Sequence, residues 1–477
     1  MAKTPETSKY TMGGVREMLS IALPMVVSHA CYSIMTFTDR LFLSKLGSAE
    51  MNAAMGGGIT VFMMLTFFFG IITYSTALTA QYLGAKRKNY CPIVITQAAI
   101  IAIIAYPVIM LAKPFGLFLF EFMKISPEQM KYQEIYFNIL IYGSIFGLLR
   151  PCFTGFFSGI GRTKIVMISS AVAMGVNIAI NYVLIFGKLG FPALGIRGAA
   201  YGTILGSAAG VGVMLWKYLS EENRSEYSVL KSFHFDKKVM ITLLRFGYPA
   251  GIELSLNLLA FNILIMIFHS HSLVTATAVT IVFNWDMLSF IPLLGVGVAV
   301  TSLVGRYMGM GKPDIAHKSV MSGVKMGLVY ASFIIILFVG FTDILVGLFN
   351  PAAPSAVFAQ AYPMAVIMLR MAAIYVIADV GIVIFTGALR GAGDSFWAMA
   401  LSVSMHWTLV PTLFFMLKVK NSSPQTAWMS VVIIFIIFSY FAYLRYAGGK
   451  WKLIKMVQPA KESIPSLSDD FHASRDL

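Results

Sequence analysis

Twelve long apolar runs, separated by short links rich in Gly, Pro and charge, constrain this chain more than any other feature. They lie near 17–44, 50–83, 91–122, 133–159, 163–187 and 196–219, then near 240–270, 275–308, 316–348, 357–389, 395–417 and 425–447. About 20 mostly apolar residues cross a bilayer as a helix, and each run reaches that length. Only 12% of the residues are charged, and the mean hydropathy is +0.78. A soluble globular domain carries about a quarter charged residues, so lipid must solvate most of this surface. The expected fold is an all-α polytopic membrane protein with twelve transmembrane helices.

Lys and Arg outnumber the acids by 36 to 21. They concentrate in short links, notably Lys86-Arg87-Lys88 and the group Lys231, Lys237, Lys238 and Arg245. The positive-inside rule then places both termini in the cytoplasm and the bundle in the cell inner membrane. No basic face is interleaved with stacking aromatics, so nucleic acid is excluded as a partner. The N-terminus, with Lys3, Lys9 and Arg16, runs straight into a long span, which reads as a retained helix rather than a signal peptide. Cys31, Cys91 and Cys152 lie far apart in or beside apolar runs and read as small packing residues.

The second half repeats the first. Pro24 in "LSIALP" answers Pro249 in "LLRFGYP", and "QYLGAKRKN" (81–89) answers "RYMGMGKPD" (306–314) at the same offset. After a small drift, "TGFFSGIGRT" (154–163) answers "TGALRGAGDS" (386–395). With six spans per half, the repeats point the same way through the membrane and form two pseudo-symmetric six-helix lobes around a central cleft. The expected organisation is a cytoplasmic segment 1–16, an N-lobe 17–219, a cytoplasmic link 220–239, a C-lobe 240–447 and a cytoplasmic tail 448–477.

Charges inside spans cost about 2.5–3.5 kcal/mol or more to insert, so they mark chemistry. In the N-lobe, Asp39 follows Thr36 and Thr38, Asn177 and Asn181 sit one turn apart, and Thr203 follows a tight Gly198-Ala199-Ala200 stretch. A carboxylate, two carboxamides and a hydroxyl form a candidate all-oxygen pocket for H⁺ or Na⁺. In the C-lobe, Glu253 and Asn257 share a face, Asn284, Trp285 and Asp286 interrupt the eighth span, and Asp379 lies mid-tenth. Three carboxyls in one low-dielectric lobe repel one another when charged and so favour proton exchange. They also make the cleft acidic, suited to cations. Asn284, Trp285 and His406 are candidate substrate contacts. No metal is expected beyond Na⁺ at Asp39 or Asp379, and no cofactor.

"GAGD" (391–394), with Asp379, resembles the dyad of intramembrane aspartyl proteases, but Asp394 falls at a turn. No P-loop, zinc-protease pair or serine elbow is present in the sequence, which argues against an enzyme and against ATP-driven transport.

Over about residues 15–447 the chain resembles the multidrug and toxic compound extrusion family. The likeness rests on "FTDRLFLSKLG" (37–47), "AQYLGAKRKN" (80–89), "GIGRTK" (159–164), "VNIAINYVLIFG" (176–187), "GIRGAAYGT" (195–203) and "GALRGAGDS" (387–395). The resemblance implies alternating access and export of amphiphilic, often cationic small molecules driven by H⁺ or Na⁺. It places Asp39, Asn177 and Thr203 in the family's N-lobe cation site, with Asn181 where one branch has an Asp. Asp379 matches the tenth-helix Asp of the sodium-linked branch. That branch's seventh-helix Glu corresponds to Asn257, for which Glu253, one turn earlier, could stand in. The expected partners are a small-molecule substrate and membrane lipid, with the chain a monomer. An alternative on the same fold is a flippase or exporter of a lipid-linked or endogenous metabolite, which calls for a cationic groove.

Overall fold

The computed structural model describes residues 10–122, 126–350 and 355–457. The first nine residues of the expected N-terminal segment, and the tail from 458, lie outside the described residues. Twelve helices are long and apolar enough to span a membrane. They are α1 (Val15–Ser44), α2 (Ala49–Gly84), α3 (Tyr90–Leu111), α4 (Pro127–Gly159), α5 (Thr163–Phe186) and α6 (Ile196–Tyr218). The second set is α7 (Lys237–His269), α8 (Leu273–Gly309), α9 (Pro313–Gly340), α10 (Ala356–Ala392), α11 (Ser395–Val419) and α12 (Pro424–Ala447).

Two expected spans end early. The third stops at Leu111 and is followed by a separate helix, Lys113–Phe122. Pro114 has no N–H for the carbonyl four residues back, which weakens the helix at this point. The ninth stops at Gly340, before a short helix Thr342–Gly347. At the opposite end of the bundle, the turns after α4 and α10 pass through Gly161 and Gly393, both at positive φ, where a side chain would be strained.

Each half packs as one lobe: α5 lies on α6 and α1, α2 on α4, and in the second half α8 and α12 flank α10. The lobes meet through α1 and α2 against α7 and α8. Their contacts lie in the half of the bundle that carries both ends of the described chain, and there the repeated motifs find their role. Gln81 Nε2 donates to the Gly391 carbonyl at 2.9 Å, while its repeat mate Arg306 donates to the Ile160 carbonyl at 3.0 Å. Cβ atoms on Gly84 and Gly309 would overlap the Arg306 and Gln81 carbonyls, so bare backbone permits this paired crossing. Glu17 of α1 accepts from the Tyr307 hydroxyl at 2.7 Å, and Ser302 donates to the Ser158 carbonyl at 2.6 Å. Nearer the middle, Thr66 and Ser255 are 3.0 Å apart. Among the described residues no hydrogen bond joins the lobes beyond that level.

The link between lobes is an ordered strap. Its helix Glu221–Tyr227 is held on the N-lobe by Arg162, which meets Glu222 at 2.9 Å and Glu226 at 2.8 Å, and by Lys88 on Glu226 at 2.8 Å. The start of the tail also docks: Trp451 is buried and stacks on Tyr446, and the Tyr74 hydroxyl lies 3.2 Å from the Met456 sulfur.

Candidate functional site

In the N-lobe the site begins with a glycine stripe. α6 carries Gly198, Gly202, Gly206 and Gly210, one per turn. A Cβ at these positions would meet, in order, the Leu184 backbone, the Asn181 side chain, Ala173 with Asn177, and Ala173 with Ser169. Bare backbone therefore lets α5 lie directly against α6, a close approach typical of small residues in membrane helices. This approach brings Asn177 and Asn181 beside Thr203, and Asp39 of α1 completes the group.

Asn181 Nδ2 donates to Asp39 Oδ1 at 2.5 Å, and Thr203 Oγ1 is 3.2 Å from Asp39 Oδ2. The same hydroxyl lies 3.0 Å from the Ala199 carbonyl, so its single proton serves one acceptor at a time. Asn177 Nδ2 points at Thr203 Oγ1 from 3.5 Å. Tyr136 of α4, also buried, reaches Thr203, a neighbour that sequence spacing did not reveal. Asp39 is 6% exposed and both asparagines 0%. Among the described residues the carboxamide oxygens of Asn177 and Asn181 have no donor. Buried acceptors are nearly always satisfied in folded proteins, so two orphans beside a carboxyl mark a place for a proton or a small cation.

The C-lobe treats its acids differently. Glu253 is bonded at 2.5 Å to Arg390 of α10, a partner the sequence reading did not assign. Asn257 donates to Ser402 Oγ of α11 at 2.7 Å, and His406 Nδ1 lies 2.8 Å from the Ser402 carbonyl. Glu253, Asn257 and His406 thus belong to one seam between α7 and α11, with Arg390 at its edge. Asp286 is elsewhere: its Oδ1 accepts from the Tyr375 hydroxyl at 2.9 Å. Asp379 faces Asp286 electrostatically and makes no hydrogen bond among the described residues. The expected cluster of three acids is therefore an ion pair and a separate carboxyl pair, because Glu253 sits more than two turns of α10 away from Asp379, at the level of Arg390.

Two expected cleft contacts have hydrogen-bond partners within their own lobe. Trp285 Nε1 donates to the Leu345 carbonyl at 3.0 Å and its ring meets Phe349 edge-on, so it anchors the short helix Thr342–Gly347. Asn284 is exposed and donates to the Thr280 carbonyl of its own helix at 2.7 Å. The protease-like reading fails on geometry. Asp394 is held by Arg445 at 2.8 Å, and the helix places Asp379 about 20 Å from it at 1.5 Å per residue. Among the described residues no group of three or more His, Cys, Asp and Glu could hold a metal ion.

The pattern of one family, MatE, matches residues 24–183 and 249–415, one stretch per lobe. A probable multidrug resistance protein NorM of Thermotoga maritima is 26% identical over 92% of this chain and 93% of its own length. The multidrug resistance protein MdtK of Edwardsiella ictaluri is 24% identical over 88% and 92%. Among solved structures, a MOP superfamily transporter from Pyrococcus furiosus, described as having a binding pocket of reversed polarity that suggests a different function, superposes with a TM-score of 0.85. It is 18% identical and covers 95% of this chain and 100% of that one. An outward-facing multidrug resistance MATE family transporter superposes at 0.83, with 19% identity over 94% and 100%.

Proposed function

Because the chain belongs to the MatE family of multidrug and toxic compound extrusion transporters, we propose that it is a secondary antiporter. Inward movement of H⁺ or Na⁺ through the Asp39 site drives export of amphiphilic, often cationic small molecules. The observation that carries this reading is the pair of donorless carboxamide oxygens at Asn177 and Asn181 around Asp39. A proton on Asp39 would give one of them a donor, and Na⁺ would satisfy both.

An ion drives transport only if it binds one facing state better than the other. Helix α1 links the two requirements. Asp39 lies near one end, Glu17 belongs to the interlobe latch at the other, and Pro24 between them removes a backbone hydrogen bond. Filling the site changes how α1 packs on α5 and α6, and the change reaches the latch through the same helix. Asp286 and Asp379 offer the exported cation its counter-charge. With both termini cytoplasmic and the bundle in the cell inner membrane, the latched end faces the cytoplasm and the cleft opens outward. The transporter works as a monomer with lipid around it and needs no cofactor.

The test is transport in proteoliposomes with proton and sodium gradients imposed separately on a small panel of cations. Asp39→Asn should abolish gradient-driven movement while the purified variant stays monodisperse. Undiminished transport by that variant would reject the reading.

A further inference from the structure

Four arginines within the spans are matched with acids, while Arg16, Arg40, Arg197 and Arg245, with no acid partner among the described residues, are exposed. Arg306 faces Glu17 at 3.8 Å, Arg370 meets Asp343 at 3.1 Å, Arg390 meets Glu253 at 2.5 Å and Arg445 meets Asp394 at 2.8 Å. Arg150 of α4 differs. Among the described residues its partners are neutral: the Ser170 hydroxyl at 2.9 Å and the Tyr32 ring, 5.8 Å from the guanidinium carbon. One of five guanidinium N–H groups is thereby used. His29, one turn from Tyr32 on α1, lies within electrostatic reach of Arg150, and its buried Nε2 has no hydrogen-bond partner.

Helix α1 packs on α5 and α8 rather than on α4, so Tyr32 and Arg150 reach toward each other across the interior of the N-lobe. Tyr32 remains 48% exposed. Nor does the fold call for an arginine here. The repeat offset that pairs "TGFFSGIGRT" with "TGALRGAGDS" carries Arg150 onto Ile382. A guanidinium held among neutral groups in a membrane helix is costly, and its planar fork matches an anion bidentately.

We propose that Arg150, with Tyr32, Ser170 and His29, receives the carboxylate of the exported solute. The preferred cargo is then a zwitterionic or carboxylate-bearing aromatic amphiphile rather than a simple cation. A single fixed positive charge balances a carboxylate monoanion, whereas a phosphate dianion would be left with excess charge. The Tyr32 ring supplies a flat apolar neighbour for an aromatic acid. This assignment rests on the transport reading above and names the cargo of the same cleft.

Equilibrium binding to the purified full chain tests it without depending on ion coupling. The probes are rhodamine 110, a free acid, and rhodamine 123, its methyl ester, followed by fluorescence polarisation. Wild type should bind the acid more tightly than the ester. Arg150→Gln should reduce that preference about 10-fold, the size of one lost charge-assisted hydrogen bond, and Arg150→Lys should restore part of it. Size-exclusion chromatography checks that both variants are folded, and Arg150→Lys carries the test if the glutamine variant is not. Equal binding of the two dyes by wild type, no binding of the acid, or an unchanged preference in a folded Arg150→Gln would each overturn the proposal. Failure of the antiporter reading is a separate result: wild-type vesicles would move no dye under either gradient.

Discussion

In the N-lobe the buried carboxyl of Asp39 is surrounded by amides and hydroxyls, and two amide oxygens beside it lack donors. In the C-lobe Glu253 is neutralised by Arg390, while Asp286 accepts a hydrogen bond from the Tyr375 hydroxyl. The same backbone plan thus holds charge in two ways. A carboxyl with a built-in cation is part of the frame, because breaking a buried pair leaves an unpaired charge. A carboxyl among neutral dipoles can exchange its counter-ion. The repeat offsets underline this: Asp39 corresponds to Leu264, Asp379 to Gly147 and Arg150 to Ile382. Gly84 and Gly309 at the interlobe crossing are shared by the repeat, whereas the residues to which we assign the chemistry are not.

The contrast breaks most directly by neutralising one acid at a time. Asp39→Asn should lower gradient-driven flux in proteoliposomes by about 100-fold or more, since a general loss of the ion site removes a differential of several kcal/mol. Asp379→Asn should instead weaken binding of a cationic dye and leave the ion dependence of flux in place. Equal loss of ion dependence in both would erase the distinction between lobes.

Next in size is the ion pair. Arg390→Met should destabilise the detergent-solubilised protein by about 3 kcal/mol, and Glu253→Gln in the same chain should recover part of that. Thermal unfolding measures both, and a harmless Arg390→Met would remove Glu253 from the frame. Gly202→Ala comes third. Its Cβ would land on the Asn181 carboxamide, pushing α6 off α5 at a cost of about 1–3 kcal/mol. It should impair coupling through the Asp39 site, and a variant with normal coupling would show that the glycine stripe is not what positions it.

The smallest effect lies at two turns related by the repeat, where Arg162 and Asp394 stand in equivalent places with opposite charge. The hydrogen bond from Lys217 and the charge of Arg162 hold the Glu222 carboxyl below its ordinary 4.5. Its contribution to strap docking is complete above that value and is lost as pH falls through the lower folded value. Burial raises the Asp394 carboxyl above its ordinary 3.8 despite Arg445. Its contribution runs the other way, complete below 3.8 and declining as pH rises through the folded value. Glu222 is half exposed, so its effect is about 0.5 kcal/mol or less. Hydrogen exchange across 221–232 and across 393–398 should therefore show opposite pH trends, and parallel trends would contradict this account.

Much of the architecture was readable from one dimension. Twelve spans, the duplication, the family and the grouping of Asp39 with Asn177, Asn181 and Thr203 all follow from runs, motifs and the cost of burying polar groups. Span ends were less readable where Pro114 and Gly340 cut a continuous apolar run into two helices. The glycine stripe of α6 was available in the sequence as a four-residue repeat, and it was the signal that could have placed Asn181 more firmly.

What the sequence determined by itself was the solvent, the count of helices and the identity of the costly groups, because each depends only on local composition and periodicity. Which acid faces Arg390, why Trp285 bonds to Leu345 and why Arg150 faces no acid were decided by tertiary packing. A helix apolar on every side carries little record of its own rotation. Its partners are chosen by helices far away in the chain, as when Arg390 of α10 reaches Glu253 of α7, 137 residues earlier.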